Sequence, residues 1–437
     1  MPWPGQPTLA VISALLACGL ASGLPGSGCS PSNGTTSAPT APQQVTAARS
    51  QSPALAGDAG AVPVSPPPAT ASWTTFRGSP GRTGHAVVAG PRRADLAWVF
   101  RTEGRIYADA CLAPDGTIYV ASLDGRLYAV GPDGRERWSY DTGGKIWTSP
   151  AVAKDGTVYV GSDNDRLVAL WPDGRERWIF PTAPPPPAKG PRPEAGRYDV
   201  DTSPLVLPDG TVVFGCHNFL YALHPAGGLR WAFEAGLERA KIFSSPAMGP
   251  DGTIYFGTQG SFFFALNQSA AVLWSAETGG DNDGAPAVGD DGTVYFGSDD
   301  GKLRAMAPGG APRWVADLGA PIRAPLAIAA DGTILVPTYG ARPFLAALEP
   351  REGRELWRFH TEPGEGDFHG IQSGPLVDAE GYVYFGGRDH FVYCLSPRGE
   401  LVWRHRTGDQ VDSGPVLGPD GMLYVGSDDR RLYAFRR

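Results

Sequence analysis

Cysteine is scarce in this chain: five residues in 437 are too few for a disulfide framework. Cys111, Cys216 and Cys394 fall in strand-like stretches, where the expected role is that of a small buried hydrophobe. No two cysteines are adjacent and no Cys-x-x-Cys-His occurs, which leaves no site for covalent haem attachment. Basic runs are missing as well. The formal net charge is −8 and the arginines are scattered, so the chain lacks the clustered positive surface that nucleic acid requires. The seven histidines have no evident serine or cysteine partner, and no nucleophilic triad is legible. No stretch after Trp73 shows sustained helical periodicity with caps.

Long apolar runs are also absent, except near the start. "TLAVISALLACGLASGL" from Thr8 is too short and glycine-rich for a good membrane span and reads as an export signal, although "MPWPGQP" lacks a positive n-region. "LLAC" ends at Cys18 and resembles a lipobox with Leu15 and Ala17 well placed and Leu16 atypical. "GSGC" ends at Cys29 without the leucine expected three residues earlier. Lipidation is expected at Cys18, with Cys29 the alternative and plain cleavage and release the competing outcome. Residues 30–71 are Ser, Thr, Pro, Ala and Gly with almost no large apolar side chain. Such a stretch cannot bury enough surface to offset its ordering entropy, so a disordered tether is expected. The organisation is thus 1–29 export and lipobox region, 30–71 tether and 72–437 folded domain, placed outside the cytoplasm.

What the chain has in abundance is repetition. "DGTVYVGS" at Asp155 recurs as "DGTIYVAS" (Asp115), "DGTVVFGC" (Asp209), "DGTIYFGT" (Asp251), "DGTVYFGS" (Asp291), "DGTILVPT" (Asp331), "EGYVYFGG" (Glu380) and "DGMLYVGS" (Asp420). A short apolar element such as "RLYAV" or "RLVAL" follows each copy. A third element carries Trp98, Trp138, Trp178, Trp231, Trp274, Trp314, Trp357 and Trp403, at intervals of forty to fifty-three residues. Each element is β-branched or aromatic and bounded by turn residues, the signature of strands. Repeats of this length with four strands each imply propeller blades. The first tryptophan strand has no blade before it and the last blade has no tryptophan strand after it. The N-terminal strand is therefore expected to complete the C-terminal blade, giving an all-β, eight-bladed propeller closed into a ring.

"RLYAVGPDGRERW", "TSPAVAKDGTVYVGSD" and their copies resemble the pyrroloquinoline-quinone-type (PQQ-like) β-propeller repeat. "WTTFRGSPGRTG" from Trp73 is similar to the segment that often precedes the first blade in that family. The resemblance covers about 73–437 and implies the fold. It implies less about function, because the family includes quinoprotein alcohol dehydrogenases and also the non-enzymatic lipoprotein subunit of the outer-membrane β-barrel assembly machinery. Dehydrogenases of this kind resemble one another in an adjacent Cys-Cys pair and a calcium held by Glu, Asn and Asp. This chain has no such pair, and no calcium triad can be matched residue by residue.

Candidate site residues follow from the repeat phase. The position near the start of each inner strand is expected to face a central funnel, and across the eight copies it is Tyr107, Trp147, Asp201, Phe243, Asp283, Arg323, Gln372 and Asp412. The alternative is ordinary solvated channel lining. The eight tryptophans are expected to dock neighbouring blades rather than stack ligands. The acidic turns "SDND" (Ser162), "SDDG" (Ser298), "SDDR" (Ser427) and "SLDG" (Ser122) read as turn chemistry. The loop at Gly279 has Asp281 and Asp283 but no closing glutamate for calcium. His360, Glu365, Asp367 and His369 fit no standard zinc spacing, so no metal is expected. Two insertions, 181–200 and 360–371, should lie on the funnel face.

The expected function is non-catalytic binding or scaffolding by a monomeric, lipid-anchored propeller. Its partner is expected to be a protein, in an envelope or outer-membrane complex, with no nucleic acid and no resident cofactor. The rivals are a dehydrogenase using PQQ with calcium and a small-ligand or glycan sensor.

Overall fold

The computed structural model describes residues 73–182, 198–236, 240–364 and 369–437. Cys18, Cys29, the tether, most of the 181–200 insertion, Glu365 and Asp367 lie outside the described residues.

Every repeat copy folds as one four-stranded antiparallel sheet, and eight such sheets form. Blades 1 to 7 span 111–141, 151–181, 205–234, 247–277, 287–317, 327–360 and 376–406. Blade 8 takes its three inner strands from 416–435 and its outer strand from Leu96–Arg101. That strand pairs antiparallel with Arg431–Phe435, with Trp98 opposite Ala434 and Arg101 opposite Arg431. Closure leaves no open edge in the ring. The inner strands are shorter than the sequence suggests, two residues each.

The recurring "DG" is turn chemistry. The Asp155 carboxylate accepts the Thr157 N–H at 3.1 Å, and Gly156 takes φ +84°, a conformation that strains any side chain. Asp291, Gly292 and Thr293 repeat the arrangement, with the N–H bond at 2.9 Å.

The tryptophans link one blade to the next. Trp98 Nε1 donates to the Pro132 carbonyl at 3.0 Å, Trp138 to Pro172 at 2.9 Å, Trp178 to Pro225 at 3.0 Å and Trp231 to Gln268 at 2.9 Å. Trp274, Trp314, Trp357 and Trp403 donate to Pro308, Pro350, Pro397 and Pro91 at 2.7, 2.8, 3.1 and 3.0 Å, which completes the circle. Cys111, Cys216 and Cys394 are buried free thiols.

The segment before blade 8 has a role that the repeat did not reveal. Residues 73–90 thread across the axis and close one end of the channel. The second residue of the inner strand donates its N–H to this segment in six of the eight blades: Leu112 to Trp73, Val152 to Thr74, Met248 to Pro80, Val288 to Gly81, Ile328 to Thr83 and Val377 to Gly84. Two arginines with no exposed surface lock it. Arg82 donates to the carbonyls of Phe76 (2.7 Å), Pro246 (3.0 Å) and Pro204 (3.1 Å), and Arg77 to those of Gly374 (2.8 Å) and Pro375. Both adopt left-handed backbone, φ 59° and 57°, which such residues hold only when their surroundings over-determine it.

Candidate functional site

The plug turns the channel into a blind funnel of about 520 Å³. All eight residues taken from the repeat phase line it: Tyr107, Trp147, Asp201, Phe243, Asp283, Arg323, Gln372 and Asp412. Their placement has a local cause. The residue before each is buried, in order Ile106, Ile146, Val200, Ile242, Asn282, Ile322, Ile371 and Val411. In most blades that anchor sits on a glycine in the second strand of the preceding blade. A Cβ at Gly161 would lie 2.3 Å from Val200, at Gly297 2.2 Å from Ile322, and at Gly386 2.3 Å from Val411. The glycine of "VYFGS" is thus the seat on which the next funnel residue is mounted.

Below the ring lies a hydrogen-bonded belt. Ser149 N–H donates to Ser203 Oγ at 3.0 Å, and Ser203 N–H to Ser245 Oγ at 2.9 Å. In blade 1 this tier holds Asp109, which is 5 % exposed. Its Oδ1 accepts the Gly414 N–H at 2.5 Å, and its Oδ2, which has no hydrogen-bond partner, lies 3.8 Å from the Arg77 guanidinium.

The acidic turns need correcting. They are not turn chemistry alone, because in two of the four, at Ser162 and Ser298, the residue after the serine bonds a ring residue. Asp163 Oδ2 accepts the Trp147 indole N–H at 2.8 Å. Asp299 takes the Arg323 guanidinium at 2.8 and 2.7 Å. In blade 7 the same position is Arg388, which holds Asp412 at 2.9 Å through both oxygens. In blade 8 it is Asp428, paired with Arg105 at 3.0 Å. Asp109, Asp163, Asp199 and Gln259 join the lining and were missed by the sequence reading. The signal available for Asp163, Gln259 and Asp109 was their shared place in the repeat; Asp199 had none.

Burial dominates the electrostatics. It pushes the Asp201 carboxyl up to about 7, helped by Asp199 and Asp163 and opposed by Lys241. Burial likewise raises Asp283 to about 6, with Asp299 and Asp281 adding repulsion, and Asp199 to about 6 beside Asp163 and Asp165. Among the described residues six aspartates line the funnel against one basic residue, Arg323, which is already paired with Asp299. Among the described residues no three His, Cys, Asp or Glu side chains are grouped to hold a metal. His360 ends a strand edge-on to Phe344 and the His369 carbonyl accepts the Gly340 N–H at 3.0 Å, whereas Glu365 and Asp367 lie outside the described residues. No helix among the described residues is long and apolar enough to cross a membrane.

Residues 84–281, 264–386 and 341–437 match the family described as outer membrane protein assembly factor BamB. No curated protein matches the sequence. Among solved structures, BamB from Moraxella catarrhalis is 18 % identical, with a TM-score of 0.64, covering 78 % of this chain and 99 % of that one. A europium-containing methanol dehydrogenase is 13 % identical at a TM-score of 0.70, covering 84 % and 98 %. The quinohemoprotein alcohol dehydrogenase of Comamonas testosteroni is 16 % identical at 0.68, covering 84 % and 81 %. At these identities the structural likeness speaks to the fold alone.

Proposed function

This chain belongs to the family of outer membrane protein assembly factor BamB, and on that footing we propose that it is a non-catalytic extracytoplasmic propeller acting in protein–protein interaction. It is exported, lipidated at Cys18 and held on its tether at the outer membrane, where a rigid ring presents the funnel rim to an envelope partner. Arg323 and the aromatic ring members Tyr107 and Trp147 are the contact residues on this reading, because Arg, Trp and Tyr dominate such interfaces.

The observation that carries the proposal is the charge of the funnel. Among the described residues its carboxylates outnumber its basic groups, and Arg323 is neutralised by Asp299. An anionic quinone placed there without a bound cation would meet repulsion.

Calorimetric titration of the full chain with PQQ in the presence of calcium is the first test, and no saturable heat is expected. One-to-one binding abolished by Asp201→Ala would overturn the non-catalytic reading in favour of a dehydrogenase. Photo-crosslinkers at Tyr107 and Gln372 in native envelopes supply the positive arm, with crosslinks to an envelope protein expected. Cys18→Ser is expected to release the chain from membranes, and retention of the variant would remove the lipid anchor.

A further inference from the structure

The funnel is electrostatically lopsided. Where blade 5 meets blade 6, blade 7 meets blade 8 and blade 8 meets blade 1, an acid is answered by an arginine: Asp299 by Arg323, Asp412 by Arg388 and Asp428 by Arg105. On the wall built by blades 2 to 5, Asp163, Asp199, Asp201 and Asp283 face the same cavity with no arginine partner among the described residues. The basic groups that act on that wall are the exposed Lys145 and Lys241 and, at Asp283, the Arg323 guanidinium, which is itself hydrogen-bonded to Asp299.

That wall also alternates acid with aromatic face. Its ring residues run Trp147, Asp201, Phe243 and Asp283 in blade order. The Trp147 ring is held in place by the 2.8 Å bond to Asp163 and by Tyr107, edge-on with centroids 5.3 Å apart. The Lys145 ammonium already lies 5.9 Å from its centroid, so this indole accepts a cation. Two buried carboxylate oxygens on this wall, one each on Asp199 and Asp283, have no hydrogen-bond partner. Buried, unsatisfied acceptors of this kind are costly unless something arrives to meet them.

We propose that the wall of blades 2 to 5 binds a small organic cation, an aliphatic amine or quaternary ammonium, seated against Trp147 and Phe243 and held by Asp201 and Asp283. The aromatic faces take the positive charge and its methylenes, and the carboxylates supply the counter-charge. A neutral sugar would use the same aromatic faces but would leave the negative charge uncompensated. The inference goes beyond partner binding and stands without it. An envelope crosslink from Tyr107 or Gln372 reads a protein partner, whereas calorimetry reads a small cation at Asp201 and Asp283.

The test is calorimetry on the full chain at pH 8 and low salt, with spermidine and choline as separate probes and maltose as the neutral one. Saturable binding of at least one cation is expected, with the better of the two deciding between a polyamine and a single quaternary ammonium. The double variant Asp201→Asn, Asp283→Asn is expected to weaken it about tenfold or more, and Phe243→Leu to weaken it independently. Asp173→Asn, in an outlying exposed turn, should change nothing, which separates the site from general attraction of a polycation to an acidic protein. Failure of both cations to bind up to about 10 mM would overturn the proposal. So would affinity unchanged in the double variant with native thermal unfolding, or binding of maltose alone.

Discussion

Arg388 grips both oxygens of the Asp412 carboxylate, Nε at 2.9 Å from Oδ1 and Nη2 at 2.9 Å from Oδ2. The Asp412 side chain is only 2 % exposed, so removing the guanidinium leaves a charge buried without its partner. Arg388→Ala should lower the unfolding free energy by about 3–5 kcal/mol. Adding Asp412→Asn should restore much of that loss. Denaturant titration of both variants checks it, and equal losses in the single and double variants would mean that lost packing, not lost charge pairing, sets the cost.

Asp201 occupies the matching place in blade 3 without such a partner, and it sets a pH dependence. Its pKa rises from the ordinary carboxylate value to about 7 in the folded protein, through burial and then repulsion from Asp199 and Asp163, with Lys241 opposing. The folded state therefore binds a proton that the unfolded state has released between about pH 4 and 7, and stability falls as pH rises through that window. Asp201→Asn should remove the penalty, stabilising the protein by on the order of 2 kcal/mol at pH 8 and by nothing measurable at pH 4. Thermal unfolding across that pH range reads the difference. A gain of equal size at both ends would assign the effect to something other than titration.

Arg82 ties the plug to blades 3 and 4 through the Pro204 and Pro246 carbonyls. Arg82→Ala would strand several buried acceptors and empty the volume of a large side chain. A loss of about 3 kcal/mol or more is expected, together with faster proteolysis or hydrogen exchange within residues 73–90. Exchange confined to the native rate in that segment would show that the backbone bonds alone hold the plug.

Gly310 adopts φ +85°, and a Cβ there would lie 2.7 Å from the Trp274 ring. Gly116 has a similar φ of +80° but its nearest neighbour, Pro132 Cγ, is 3.9 Å away. Both Ala variants share the backbone strain, which costs about 1 kcal/mol. Gly310→Ala should cost roughly 1–3 kcal/mol more, the cost of overpacking the indole that docks its blade to the next. Equal midpoints in thermal unfolding would mean that the docking contact is soft.

Much of the architecture was legible because it is local and repeated. Strand, turn and docking signals at Asp155, Gly156, Trp178 and their copies act within a blade or between neighbours. Eight repetitions also fixed the phase, and with it ring closure through Leu96–Arg101 and the eight funnel positions. The acidic turns were half read: their role in the hairpin follows from sequence spacing, but Asp299 meeting Arg323 requires two blades to be set side by side.

The chain's own order of residues determined a closed eight-bladed ring and which position of each repeat looks inward. Only the tertiary structure decided what that interior is. Nothing in "WTTFRGSPGRTG" sets Arg77 and Arg82 apart from other arginines until carbonyls from distant blades surround them. Asp201 and Asp412 are the same residue at the same repeat position, yet one carries an uncompensated charge and the other does not. The difference lies in which side chain the neighbouring blade presents. Periodicity sets where a group points, whereas its electrostatic environment is assembled from elements far apart in the chain.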